Sequence, residues 1–396
     1  MTHEFDPGVR GIRGRWPDPP QYWSYTALRD VQACPRRWSL RRAQYPDLWE
    51  GSGYPPRPGV AGLAGTAIHR CLELILEAFA AADCEGPRDP EAIQVLRSLG
   101  GFSELTERAL DDVLADLADN PRMTRALPAI RTSLLRQVPD LRIRLQSLVA
   151  RTRMVSMGDS GTGIPSETSP RGLRRGSHAE VELKGEDPPL RGVADLVTIT
   201  PDACAIVDYK SGGEHEEHDE QLHFYQTLWM LDLRRNADRI PVTTLEVMYP
   251  EADRSVVPLS TEELNARVES LREETSRLRD EIARRPPRAL PSPENCGYCT
   301  VRHLCGDYWD SEVPSGLPKD GFGDALVRIL GPQGDRSWRV VHTPSGVETL
   351  LHVAVDGIAL EPESLVRLVD AAFNAADPEE PPVITLTTFS ESYVLS

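Results

Sequence analysis

Apolar positions recur at helical spacing along the first part of the chain and alternate in its middle, so the sequence reads as helices leading into a sheet. Residues 1–22 are polar and rich in Pro and Gly, and disorder is expected there. From Ser24, a good N-cap, "SYTALRDVQACPRRWSLRRAQY" keeps helical spacing until Pro35 splits it into two pieces, with Cys34 at the break. After a Pro/Gly loop at 51–60, "AGTAIHRCLELILEAFAA" carries a single apolar stripe of Ile68, Leu72, Ile75, Leu76 and Phe79. Two or three more helices are expected within 102–150. The stretch "GDSGTGIPSETSPRG" at 158–172 then reads as a flexible insertion or linker.

From residue 178 the period changes. "HAEVELKG", "LRGVADLVTI" and "ACAIVDYKSG" predict three short strands; the helix "EEHDEQLHFYQTLWMLDLRR", the strand "TTLEVMYP" and a long charged helix over "STEELNARVESLREETSRLRDEIARR" follow. A meander, a helix and a further strand surrounded by helices make an α/β core, not a long doubly wound fold. Residues 318–396 alternate the strand patterns "ALVRIL", "WRVVHT", "ETLLHVAV" and "PVITLTTF" with one expected helix, "PESLVRLVDAAFNAA", and predict a small separate domain rich in β-structure.

Composition narrows the function. At 396 residues and 40% apolar content the chain can bury a sizeable core, and its net charge of -17 argues against a protein that coats DNA regardless of sequence. A local basic groove remains open to "CPRRWSLRR" (Arg36, Arg37, Arg41, Arg42) and "RGLRR" (Arg171, Arg174, Arg175). No apolar run reaches membrane-spanning length and the N-terminus is not signal-like, so a cytoplasmic protein with no membrane partner is expected. The phosphate-binding loop of nucleotide-driven motors is absent from the sequence.

The chemistry concentrates on two strands. Asp195 lies inside "GVADLVTI" and Asp208 near the end of "AIVDYK"; a hairpin would bring both carboxylates to one end of the sheet, where hard oxygen ligands suit Mg2+ or Mn2+. Only three lysines, Lys184, Lys210 and Lys319, stand against 41 arginines. Because strand side chains alternate, Lys210 shares a face with Asp208 while Tyr209 points away, and its compact ammonium suits orienting a water and countering charge on a phosphate.

These residues resemble the RecB-like branch of the PD-(D/E)XK nucleases. The resemblance covers "GVAD" (Gly192 to Asp195), "VDYKSG" (Val207 to Gly212), a Q-x-x-x-Y helix motif at Gln221 and Tyr225, and an upstream G-x-x-x-H motif in "GTAIH", Gly65 to His69. It implies a restriction-endonuclease-like fold, a mixed sheet flanked by helices. By the same resemblance His69, Asp195 and Asp208 are side-chain metal ligands, the Tyr209 carbonyl adds a backbone oxygen, and Lys210 acts in catalysis. Glu180 in "HAEVEL" matches an acidic position before the first Asp, with Glu182 as the alternative match.

A second signal comes from the seven cysteines. "CGYCTVRHLC" sets Cys296, Cys299 and Cys305 at C-x2-C-x5-C spacing, one ligand short of a tetrahedral site, and Cys34 is the obvious fourth. AddB and the CRISPR-associated RecB-like nucleases show the same split around a 4Fe-4S cluster; zinc would use the same ligands, and spacing alone does not separate the two. Cys71, Cys84 and Cys204 are expected to pack as small apolar residues. The aromatics Tyr22, Trp23, Tyr25, Trp38, Tyr298, Tyr308 and Trp309 are expected to pack around the cluster rather than stack DNA bases.

The expected organisation is therefore a disordered 1–22, a nuclease domain at 23–315 with a helical insertion at about 85–155, a flexible linker at about 156–177, and a small α+β domain at 316–396. The expected function is a Mg2+- or Mn2+-dependent DNA exonuclease acting on single strands or frayed ends, in DNA repair, recombination or CRISPR-type defence. Lacking a motor, it would work beside a helicase or an integrase-type partner. The alternatives are a noncatalytic partner subunit and a zinc-stapled DNA-binding module.

Overall fold

The computed structural model describes residues 4–50, 52–155, 172–314, 316–375, 377 and 379–396. Most of the expected linker lies outside these residues.

A five-stranded mixed sheet sits between two helical layers. Its strands are β3 (Gly176–Gly185), β4 (Leu190–Ile199), β5 (Cys204–Tyr209), β6 (Val242–Met248) and β7 (Asp253–Val256), in that spatial order. Only β5 and β6 run parallel, and the crossover between them is α7 (Glu217–Leu231). This is the expected α/β architecture of a mixed sheet flanked by helices.

On one face lie α3 (Val60–Ala81), α4 (Pro90–Ser98), α5 (Gly101–Ala115) and α6 (Leu127–Arg151). The stripe Ile68, Leu72, Ile75, Leu76 and Phe79 packs there with Leu110, Leu134 and Leu145 and with the sheet residues Leu196, Val207 and Tyr209. The other face is covered by α1 (Tyr25–Ala33), α7 and α8 (Thr261–Ala283), which bury Trp23, Phe224, Trp229 and Leu278 against Ile206, Leu245 and Val247. A capping box of Ser260 and Glu263 starts α8.

The C-terminal part is rich in β-structure, as expected, and departs from expectation at one element. Strands β8 (Asp320–Gly334), β9 (Ser337–His342), β10 (Glu348–Val353), β11 (Leu365–Asn374) and β12 (Val383–Leu386) form a closed barrel, because β12 pairs with both β10 and β11. A further strand, β13 (Glu391–Val394), adds to β11. The helix expected over "PESLVRLVDAAFNAA" is strand β11. Its Ala-rich end favours a helix locally, but between β8 and its other partners the segment gains a full ladder and buries Val366, Leu368, Ala371 and Phe373. A bulge between Leu368 and Ala371 places Asp370 at φ 52°.

The N-terminal residues are also ordered from residue 4 on. Strands β1 (Glu4–Phe5) and β2 (Gly14–Arg15) pair, Phe5 stacks on Trp16 with ring centroids 3.9 Å apart, and Val9 pairs with Leu395. Disorder was expected because the segment has no local periodicity. Its apolar residues find their partners some 380 positions away, in a third core shared by Val9, Trp16, Leu40, the late cysteines and Val369 of β11. That core also joins the barrel to the rest of the molecule, so the barrel is not a separate body. The remaining elements belong to it: α2 (Pro35–Arg42), α9 (Pro293–Gly297), a 3-10 turn at Arg302–Leu304 and α10 (Gly306–Trp309). Among the described residues, no helix is long and apolar enough to cross a membrane.

Candidate active site

Three carboxylates lie in a row across β3, β4 and β5. The paired residues Ala179 with Leu196 and Val181 with Ala194 leave Glu180 opposite Asp195, and one step beyond the pair Leu196 and Val207, Asp195 stands opposite Asp208. Ala179 and Leu196 face the α3–α6 layer, yet Val181 and Ala194, two positions along, face the α7–α8 layer. Residues two apart normally share a face, so both strands turn over at this row. Glu180 does so with φ at 48°, a left-handed conformation that is strained for a non-glycine residue. The turnover opens the row to groups from both helical layers.

From α7 comes a relay. Lys210 Nζ lies 2.6 Å from Asp208 Oδ2 and donates to Gln221 Oε1 at 2.9 Å; Gln221 Nε2 donates to the Tyr225 hydroxyl at 2.8 Å. The Lys210 backbone N–H is held by the Met248 carbonyl, and Asp195 Oδ2 accepts from the Tyr209 N–H at 2.7 Å. Two motif glycines are there for space. A Cβ on Gly192 would sit 2.9 Å from the Tyr225 ring, and one on Gly65 would sit 2.8 Å from Ser211 Oγ. From α3 comes His69, close enough to Lys210 and Asp208 for its charge to respond to both. Tyr209 points its ring away from Asp208, into the α3–α6 layer, where its hydroxyl bonds to Thr152.

Burial and like charge dominate the electrostatics. Burial, then the charges of Asp195, Glu73, Glu77 and Asp208, push the Glu180 carboxyl up to about 7. Burial raises both Asp195 and Asp208, and Asp195 adds to the rise at Asp208; Lys210 opposes it at each. Burial and the Lys210 charge lower His69, which favours the neutral imidazole that ligates metals. Three carboxylates share one ammonium, that of Lys210, whose Nζ lies 2.6 Å from Asp208 Oδ2. An acidic, oxygen-rich set short of positive charge fits a hard divalent cation. Among the described residues no three His, Cys, Asp or Glu side chains already converge on one point for a metal, so the ligands would have to draw together.

Two groups near this row escaped the sequence reading. Glu73 and Glu77 follow His69 at i+4 and i+8 on α3, a spacing that was open to inspection. His218 on α7 bonds the Tyr249 hydroxyl through Nδ1 at 2.7 Å; burial, then the Lys210 charge, lowers it to about 4. Glu182, the alternative to Glu180, is instead exposed and paired with Lys184.

The four cysteines meet elsewhere. Cys34 caps α2, Cys296 lies on α9, Cys305 precedes α10, and together with Cys299 they line one cavity beside Arg37, Leu40 and Tyr308. All four are buried free thiols. Burial pushes Cys299 up to about 11 and Cys305 up to about 12. Cys71, Cys84 and Cys204 are buried in the two main cores.

The basic cluster of α2 is used internally: Arg37 and Arg41 pair with Asp30, Arg36 with Asp307, and Arg42 covers Trp38. Arg171 lies outside the described residues. Tyr308 and Trp309 pack in the core of the late cysteines as expected, whereas Trp23 and Trp38 are buried in the sheet core on the α7–α8 side and Tyr298 is 88% exposed, so the packing expected for those three does not occur.

A model of the PD-(D/E)XK nuclease superfamily matches residues 22–306. No curated protein matches the chain. Among solved structures, that of SSO0001 is similar at 15% identity over 49% of this chain and 80% of that one, with a TM-score of 0.23. The p204 HINb domain is 12% identical over 52% of this chain and 85% of its own, TM-score 0.17. The tetrameric p202 HIN2 is 12% identical over 19% of this chain, which spans 42% of that one, TM-score 0.17.

Proposed function

The chain belongs to the PD-(D/E)XK nuclease superfamily, whose members are metal-dependent nucleases, and on that premise we propose that it is a RecB-like DNA exonuclease acting on single strands or frayed ends. The observation that carries this reading is the Lys210 ammonium held between Asp208 Oδ2, at 2.6 Å, and Gln221 Oε1, at 2.9 Å, at the end of a row of three carboxylates.

His69, Asp195, Asp208 and the Tyr209 carbonyl are the groups proposed to hold Mg2+ or Mn2+, which when bound would neutralise the scissile phosphate and acidify a water. Lys210 keeps a remaining N–H for the attacking water and places positive charge where the phosphate gains negative charge. Gln221, itself fixed by Tyr225, sets the direction of that ammonium. Glu180, titrating near neutrality, is the group of this set suited to accept the proton that the water loses. A helicase or integrase-type protein remains the proposed partner that supplies opened DNA.

We further propose that Cys34, Cys296, Cys299 and Cys305 bind a 4Fe-4S cluster. In support, four free thiols from distant parts of the chain line one cavity. Zinc would use the same four thiolates, so the metal content decides between the two. Iron and sulfide content of anaerobically purified protein tests this, and stoichiometric zinc in their place overturns it.

The nuclease assignment is tested with labelled single-stranded DNA and Mg2+ or Mn2+. Lys210→Ala is expected to lower kcat by about 10²–10³ while the fold is kept; full activity in that variant overturns the assigned site.

A further inference from the structure

A cavity of about 280 Å³ opens where the nuclease helices, the cysteine segment and the barrel meet. Its walls include Arg57 before α3, Ala126 and Ile130 at the start of α6, Tyr298 between two cysteines, and Asp370 and Phe389 from the barrel side. Two large aromatic side chains are left out in solvent here, Tyr298 at 88% and Phe389 at 45% exposure. Neighbouring Arg125 spends one guanidinium nitrogen on the Ser390 carbonyl at 3.1 Å and leaves the other without a hydrogen bond.

Helix α3 links this cavity to the carboxylate row. Gly59 and Val60 line it, and His69 lies nine residues on, about 13.5 Å along the helix axis. Between them one helix face carries Gly62, Gly65, Thr66 and His69. Gly62 and Thr66 are exposed, and a Cβ on Gly62 would meet nothing within 4 Å. The face is open at Gly62 and Thr66 and meets Ser211 at Gly65, beside the site.

We propose that the cavity takes a nucleobase of the single-stranded DNA substrate, stacked on Tyr298 and Phe389, with the strand running along the Gly62–Thr66 face of α3 to the carboxylates. The proposal rests on the nuclease reading above. Exposed aromatics are what sequence-tolerant strand binding uses, because every base has a face to stack. The outer surface of the barrel is a poorer host: residues 318–396 hold five Lys and Arg against twelve Asp and Glu, which repel a phosphate chain.

Two readouts keep the cavity and the chemistry apart. In metal-free protein, a single-stranded oligonucleotide containing 2-aminopurine should lose fluorescence on binding the wild type, and Tyr298→Ala and Phe389→Ala should each weaken binding roughly tenfold, with Tyr298→Trp restoring it. With Mn2+, the same alanine variants should raise KM on long oligonucleotides and leave kcat, and turnover of a dinucleotide, unchanged. Gly62→Phe should behave like them and Gly62→Ala like the wild type. Unchanged binding and KM in both alanine variants overturn the proposal while leaving the nuclease reading intact. Stacking without any hydrolysis by the wild type overturns the nuclease reading and leaves the cavity's role standing.

Discussion

The carboxylate row and the ion pairs beneath the barrel are both buried and both charged, but they are resolved in opposite ways. Around Arg302, charges are matched: its guanidinium grips Asp324 at 2.6 and 3.0 Å and Asp370 at 2.5 Å, while Arg57 and Arg122 share Glu391. Despite burial, Arg302 and Arg57 hold Asp370 below the usual carboxylate range, and Arg122 does the same for Glu391. In the row of Glu180, Asp195 and Asp208, three acids face one lysine; burial raises all three, and like charge adds to the rise at Glu180 and Asp208. The first region is satisfied as it stands. The second is left incomplete in a way that a cation would relieve, and the left-handed Glu180 adds backbone strain to the same place.

Disturbing the matched region should cost the most. Asp324→Ala takes two of the three carboxylate bonds from Arg302, leaving it Asp370, and removes the buried acceptor of the Tyr308 hydroxyl, so unfolding in denaturant should show a loss of about 3 kcal/mol. An equal loss on an exposed pair such as Arg336 and Asp356 would erase the contrast. The unmatched region should respond with the opposite sign. Asp208→Asn removes one of the repelling charges and should stabilise the protein in a chelator by roughly 1 kcal/mol while abolishing hydrolysis; a destabilised variant would mean that the row is not under electrostatic tension.

The smallest effect is one of pH. A carboxyl raised in the folded state contributes stability that is fully present below its unfolded range, about 4.3 for Glu, and lost as pH rises through its folded value. For Glu180 that value is about 7. Without metal, the stability contributed by this carboxyl should therefore fall between about pH 4 and about pH 7. Mn2+ should reverse the fall, and its affinity should rise with pH because ligands must shed protons. Metal-free melting curves that do not move over this window would remove Glu180 from the coupled set.

What could be read from the chain follows from how local the interactions are. Asp195, Asp208 and Lys210 come together through strand alternation and one hairpin, and Gln221 and Tyr225 through one helical turn on the next element, so pattern alone finds them. Leu365–Asn374 was misread because its apolar spacing also fits a helix, and only its partners β8, β12 and β13 settle the choice. The hairpin at residues 4–15 and the Arg302 pairs were invisible for a related reason: Val9 meets Leu395, and Arg302 meets Asp370, through tertiary proximity with no local signal. The turnover at Glu180 could not be read either, since an alternating pattern assumes that a strand keeps its face.

The cysteine cavity has a consequence for the order of synthesis. Cys34 and Cys296 are 262 positions apart, so at about 5–20 residues per second a ribosome exposes the first thiol roughly 13–50 seconds before the others appear. The barrel residues that pin Arg302, within the loop from Cys299 to Cys305, emerge later still. During that interval the early thiol has no companions and stands open to oxidants, so a growth medium that damages nascent thiols should harm this protein while it is being made.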